Sequence, residues 1–147
     1  MSALYRKIRT IQMVGTAWEC DAKAHGYLGI VLAFVERWAE AEQESRTAVR
    51  MEPGSGLYRC NWADALTAIG RTQEAEAEYR AALALDLNYY LANLRYGQFL
   101  ESQGRLTKAR RYLERVLVFD PDNARAKRAL ERIGRLRHGD TEGGRHV

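Results

Sequence analysis

The 147-residue chain repeats itself every 34 residues, and no other feature limits its possible folds so strongly. Ala41, Ala75 and Ala109 stand at this spacing, as do Leu32, Leu66 and Leu100, then Glu52, Asp86 and Asp120, then Gly70 and Gly104. A fixed period of this length means one supersecondary unit that cannot bury its apolar face alone and does so by stacking on copies of itself. Cut at the period, one unit runs over 22–55, the next over 56–89 and the third over 90–123. Each holds two apolar-periodic segments of about a dozen residues, the length of globular helices. In the third unit Leu91, Leu94, Gly97 and Leu100 mark the first segment; Ala109, Leu113, Val116 and Leu117 mark the second.

Punctuation repeats with the same period. Gly70 and Gly104 fall between the two segments, where a left-handed residue ends a helix and glycine adopts it without steric cost. Glu36 holds the equivalent place in the first unit, so the same turn there predicts strain of ~1 kcal/mol. Small residues, Gly29, Ala63 and Gly97 on the first segment and Ala41, Ala75 and Ala109 on the second, let paired helices approach closely. Leu28, Trp62 and Tyr96, then Val49, Leu83 and Leu117, fill the remaining space. Pro53 and Pro121 mark joints between units, with Leu87 at the middle joint. Ser55, Asn88 and Asn123 are expected to cap the helices that follow.

These markers resemble the tetratricopeptide repeat (TPR) family over residues 22–123. The resemblance rests on Leu28-Gly29, Trp62-Ala63 and Tyr96-Gly97, on the Leu, Gly and Ala series above, and on Ala48, Ala82, Pro53 and Pro121. The chain departs from the family pattern at His25, Arg59 and Asn93, where Trp is preferred. It departs also at Glu36 for Gly, Ser45 for an aromatic, Leu87 for Pro and Val116 for Ala. The resemblance implies an all-α, right-handed α-solenoid of three helical hairpins. Residues 124–138 are expected to form a C-terminal capping helix, with Ala126, Ala129, Leu130 and Ile133 inward, because an open stack needs a polar outer face at its end. Residues 1–21 are read as an N-terminal cap containing a helix over 2–17, with Leu4, Ile8, Ile11 and Val14 on one stripe. Polar, Gly-rich 139–147 is read as a disordered tail.

Two cysteines, Cys20 and Cys60, make neither a disulfide framework nor a metal spacing, which suits a reducing compartment. Arg6, Lys7 and Arg9 precede the apolar stretch from Ile11 to Trp18, yet Gln12 and Thr16 interrupt it, and Trp18 and Glu19 stand where a cleavage site needs small residues. No stretch is long and apolar enough to span a bilayer, so the expected location is the cytoplasm, with no membrane partner. The excess of Arg over Lys points to a GC-rich bacterial genome. Charge is graded: residues 22–103 carry 8 basic and 11 acidic groups (8 − 11 = −3), residues 104–139 carry 11 and 4 (11 − 4 = +7).

Nothing in the chain supports catalysis, a metal or a cofactor. The histidines His25, His138 and His146 form no metal-ligand spacing, and no phosphate loop is present. Glu40, Glu42 and Glu44, like Glu74, Glu76 and Glu78, read as a solvated helix face rather than a carboxylate pair. The resemblance implies instead that the first helix of each repeat lines a concave groove. It places there Lys23, Tyr27, Ile30 and Phe34, then Leu57, Cys60, Asn61, Asp64 and Thr67. From the third repeat it adds Leu91, Leu94, Arg95, Gln98, Glu101 and Ser102, and from the cap helix Arg125, Arg128 and Arg132.

Within that set, Asn61 suits a peptide backbone because an amide both donates and accepts, and Arg95 suits a carboxylate. Asn61 and Arg95 match two places of the carboxylate clamp by which some family members grip chaperone C-termini, but Gly26, Ile30 and Leu91 occupy the other three, so the whole clamp is rejected. The alternative is that Asn61 and Arg95 bond neighbouring helices. Tyr27, Ile30 and Phe34 form an apolar end and Arg95, Arg128 and Arg132 a basic one, which suits a peptide segment of another protein with an apolar anchor and an acidic flank; the alternative is that residues 2–17 fold over Tyr27, Ile30 and Phe34. The expected function is therefore a non-catalytic adaptor, scaffold or chaperone-like module. Its expected contacts are Tyr27, Ile30, Phe34, Asn61, Asp64, Leu94, Arg95, Gln98, Arg128 and Arg132. Two alternatives stand beside it. Nucleic-acid binding starts from Arg105, Lys108, Arg110, Arg111 and Arg115, but lacks interleaved aromatics and a recurring base-reading pair. Self-association would pair the acidic second helices of the first two repeats with the basic one of the third.

Overall fold

A computed structural model describes residues 21–142, and side chains as far as Arg137. The helix predicted over 2–17 and residues 143–147 lie outside the described residues. Seven helices and no strands make up the described chain: α1 (Ala22–Phe34), α2 (Trp38–Met51), α3 (Gly56–Ala68), α4 (Thr72–Leu85), α5 (Tyr90–Ser102), α6 (Leu106–Phe119) and α7 (Ala124–Glu142). Helix α7 runs past residue 138, the end expected from sequence.

Each hairpin is closed by the same turn. Glu36, Gly70 and Gly104 have φ of 60°, 85° and 74°, so all three are left-handed, glycine or not. Behind each, the following arginine donates its N–H to a carbonyl five residues back: Arg37 to Leu32 at 2.8 Å, Arg71 to Leu66 at 2.9 Å, Arg105 to Leu100 at 2.9 Å. This satisfies carbonyls that the end of a helix leaves unpaired. At the joints, Ser55 Oγ accepts from Tyr58 N at 3.3 Å and Asn123 Oδ1 from Ala126 N at 3.0 Å. Asn88 does not act as the expected cap. The period puts Tyr89, not Asn88, at the place of Ser55 and Asn123, and the Asn88 N–H turns back to Asp86 Oδ1 at 2.9 Å.

Close packing follows the small residues. A Cβ on Gly97 would lie 2.8 Å from Leu113 Cγ and 3.4 Å from the Ala109 carbonyl, so α5 and α6 touch along their backbones there. Leu66, Leu100 and Leu113 are fully buried in one core that links the second and third hairpins to α7. Each buried leucine contributes roughly 2 kcal/mol relative to exposure. Adjacent leading helices, α1 with α3 and α3 with α5, pack against one another, whereas the backbones of the trailing helices α2, α4 and α6 do not come close. Helices close on one side and splayed on the other bend the stack. The leading helices therefore form its concave face and the trailing helices its convex face.

The acidic faces of α2 and α4 are less solvated than expected, although Glu74 stays exposed. Glu42 is buried, Glu44 accepts from His25 Nδ1 at 2.6 Å, and Glu78 accepts from Arg59 Nη1 at 2.7 Å. Glu40 and Glu74 pair with Arg37 and Arg71 at the helix starts. The cause is the hairpin geometry: Glu44 and Glu78 face a cation on the leading helix of their own hairpin, Glu40 and Glu74 the arginine of the turn before them, and of these acids only Glu42 meets a donor, Trp62, from the next hairpin.

Candidate functional site

The period determines what meets on the concave face. Tyr27, Asn61 and Arg95 share one place on α1, α3 and α5; Ile30, Asp64 and Gln98 share the next. On α1 the stripe Tyr27, Ile30, Phe34 is solvent-exposed, Tyr27 at 67% and Phe34 at 89%. A helix that presents an aromatic stripe to water over two turns leaves apolar area available to a ligand.

At the centre of the face, Arg95 Nη1 donates to Asn61 Oδ1 at 2.8 Å and to Asp64 Oδ2 at 2.6 Å. Tyr79 Oη, from α4, donates to the other Asp64 oxygen. Burial in the cleft pushes the Asp64 carboxyl up, against the pull of the Arg95 charge and the two hydrogen bonds. Burial also pushes the Tyr79 hydroxyl up, and the Asp64 charge adds to it. Arg95 thus uses its charge inside the protein, tying α3 to α5. Asn61 is only 8% exposed, and its Nδ2 is a buried donor with no acceptor. An unsatisfied buried N–H costs about 1–3 kcal/mol.

Two adjoining clefts flank this network. One, of about 390 Å³, lies between Trp38, Phe99, Gln98 and Arg125; the other, of about 110 Å³, lies against Ile30, Ala33 and Asn61. Trp38, Asp64 and Arg95 line both.

Several expected contacts are placed differently. Leu94 is 3% exposed and belongs to the core, because its place on α5 is that of Cys60 on α3, which the neighbouring leading helix covers. Leu94 is therefore no groove contact. Arg132 is exposed but held by Glu101, with its Nε and Nη2 at 2.7 and 3.0 Å from the two carboxylate oxygens. That leaves Arg128 as the one expected cation without a partner among the described residues, and Arg125 joins it. Gln98 and Asp64 do line the larger cleft. Sequence reasoning missed Trp38, Tyr79 and Phe99. The available signal was Trp38 itself, a large aromatic at the first position of a trailing helix where the other repeats have Thr72 and Leu106.

Among the described residues there is no cluster of potential metal ligands and no helix long and apolar enough to cross a membrane. A tetratricopeptide repeat family model matches residues 66–133. Protein O-mannosyl-transferase Tmtc1 of Drosophila melanogaster is 30% identical over 118 residues, 71% of this chain. The chain spans 14% of that relative's length. Among solved structures, the Arabidopsis OM64 TPR domain is similar with a TM-score of 0.72 at 26% identity, covering 78% of this chain and 94% of that one. The second TPR domain of human RPAP3, solved in complex with the HSP70 peptide SGPTIEEVD, has a TM-score of 0.69 at 26% identity, covering 77% and 94%.

Proposed function

Because the chain belongs to the tetratricopeptide repeat family, we propose that it is a non-catalytic adaptor that holds a segment of a partner protein along its concave face. The observation that carries this reading is the unsatisfied Asn61 Nδ2 between an exposed apolar stripe and two unpartnered arginines. Tyr27, Ile30 and Phe34 take an apolar anchor. Asn61 takes a main-chain carbonyl, and Arg125 and Arg128 take an acidic flank. The RPAP3 domain bound to an acidic-ended peptide supports the same class of ligand. Arg95 and Asp64 hold the cleft in shape. An affinity near micromolar, about −8 kcal/mol, suits exchange between partners.

The test is a peptide array followed by calorimetry. Acidic peptides with one aliphatic or aromatic anchor are expected to bind. Phe34→Ser and the double charge reversal Arg125→Glu/Arg128→Glu should each weaken them about tenfold, with the helical circular dichroism unchanged. An array without preference for acidic-hydrophobic sequences overturns the reading.

A further inference from the structure

The splay of the trailing helices opens a furrow on the convex face between α4 and α6, floored by α5. It is a cleft of about 460 Å³. Tyr96 from α5, with Leu83, Leu87 and Tyr112 beside it, gives it an apolar floor, and Arg80, Lys108 and Arg115 surround it. Leu87 is 64% exposed although it stands at a joint between repeats. The Tyr96 and Tyr112 rings meet at 4.7 Å, and the Arg115 guanidinium lies 5.7 Å from the Tyr112 ring centre.

The period supplies an internal comparison. One repeat earlier, the places of Leu87, Lys108 and Tyr112 hold Pro53, Glu74 and Glu78. There Glu78 is bound by Arg59 and Glu74 by Arg71, so the furrow between α2 and α4 carries its own ion pairs. In the α4–α6 furrow both acids are gone. Asn93, in the place of Arg59, turns its Nδ2 to the Leu87 and Tyr89 carbonyls, each at 2.9 Å. Arg105, lacking an acid at position 108, reaches Glu76 at 2.8 Å instead. Lys108 is then left without a partner among the described residues.

We infer that this convex furrow is a second docking site, taking a short acidic segment of another protein with one apolar anchor. The anchor packs on Leu83, Leu87 and Tyr112, and the carboxylates meet Lys108 and Arg115. A separate partner fits better than a second copy of this chain, since the acids clustered on α2 and α4, Glu40, Glu44, Glu74 and Glu78, are already paired within the chain. The apolar floor favours peptide over nucleic acid, whose phosphates would use only the rim. With the concave face also occupied, the protein would bridge two partners.

The experiment titrates the 15N-labelled full-length chain with the synthetic heptapeptide Asp-Glu-Asp-Phe-Asp-Glu-Asp at physiological salt. Amide shifts are expected at Ala84, Leu87 and Tyr112. Lys108→Glu/Arg115→Glu, and independently the exposed Leu87→Ser, should weaken that binding at least tenfold. Shifts confined to concave amides overturn the inference and leave the concave reading intact. It is equally overturned by unchanged affinity in both furrow variants, by equal binding of a peptide with Lys for each acid, or by tighter competition from a single-stranded oligonucleotide.

Discussion

Tyr96 Oη donates to Glu76 Oε1 at 2.7 Å, and one period earlier Trp62 Nε1 donates to Glu42 Oε1 at 3.0 Å. An acid on each trailing helix is thus clasped by an aromatic donor from the next leading helix. The next turn adds an arginine: Arg105 at 2.8 Å from Glu76, Arg71 at 3.6 Å from Glu42. The clasp joins repeat to repeat without using apolar area, and it explains why acids at these two positions leave the solvent.

Stability should fall in acid through Glu76. Burial alone would raise its carboxyl, but the hydrogen bonds from Tyr96 and Arg105 and the charges of Arg105 and Arg80 outweigh it, so its pKa lies below the ordinary glutamate value. A lowered folded pKa means stabilisation that is present above the unfolded value, about 4.3, and lost as pH falls through the folded one. Glu76→Gln is expected to cost about 2 kcal/mol at neutral pH. It should also flatten the acid limb of a urea-denaturation series against pH. Asp64, whose carboxyl is raised, acts in the opposite sense and loses stability as pH rises through its own range. An acid limb unchanged in Glu76→Gln would remove the clasp as its cause.

Glu36→Gly should stabilise the protein. Glu36 stands at φ 60° where its two equivalents are glycine, and the turn's hydrogen bonds do not need its side chain. Relief of left-handed strain is worth ~1 kcal/mol, set partly against the extra freedom of glycine in the unfolded chain. The expected rise in Tm is about 3 °C by calorimetry. A lower Tm would refute the strain.

The hairpins, their turns and the small-residue contacts were legible in the sequence because each is local and recurs at the period. The ionic clasps were not. Alternating Glu42, Glu44, Glu76 and Glu78 read as a wet face on any single helix, and only packing covers them: His25 and Arg59 from the leading helix of the same hairpin, Trp62 and Tyr96 from the next hairpin. The concave face was legible in outline and misjudged in detail for the same reason. Arg95 and Arg132 read as available cations, yet Asp64 and Glu101, each about one repeat away, bind them. Leu94 read as a contact because the family pattern gives its direction, not how closely the adjacent helix lies over it.

Cys60 should be inert to thiol reagents in the folded protein. It is fully buried between leading helices, and burial pushes its thiol up to about 12, so the reactive thiolate is scarce at neutral pH. Brief iodoacetamide labelling followed by mass spectrometry of the Cys60 peptide should show no adduct until urea is added. Rapid native labelling would mean that the leading helices part readily.

One substitution should act with opposite signs at two helical glycines. In helix α7 a Cβ on Gly134 would meet no atom within 4 Å, so Gly134→Ala brings only the helix-propensity gain, about 1 kcal/mol. In helix α5 the same methyl on Gly97 would press on Leu113 Cγ at 2.8 Å, and Leu113 is itself fully buried, with nowhere to turn. Overpacking of this kind costs about 1–3 kcal/mol, enough to exceed the propensity gain. The urea midpoint should therefore rise for Gly134→Ala and fall for Gly97→Ala, with equal m-values. A rise for both would mean that α5 and α6 stand further apart than their backbones indicate, and the close approach that Gly29, Ala63 and Gly97 repeat would lose its role in holding the hairpins.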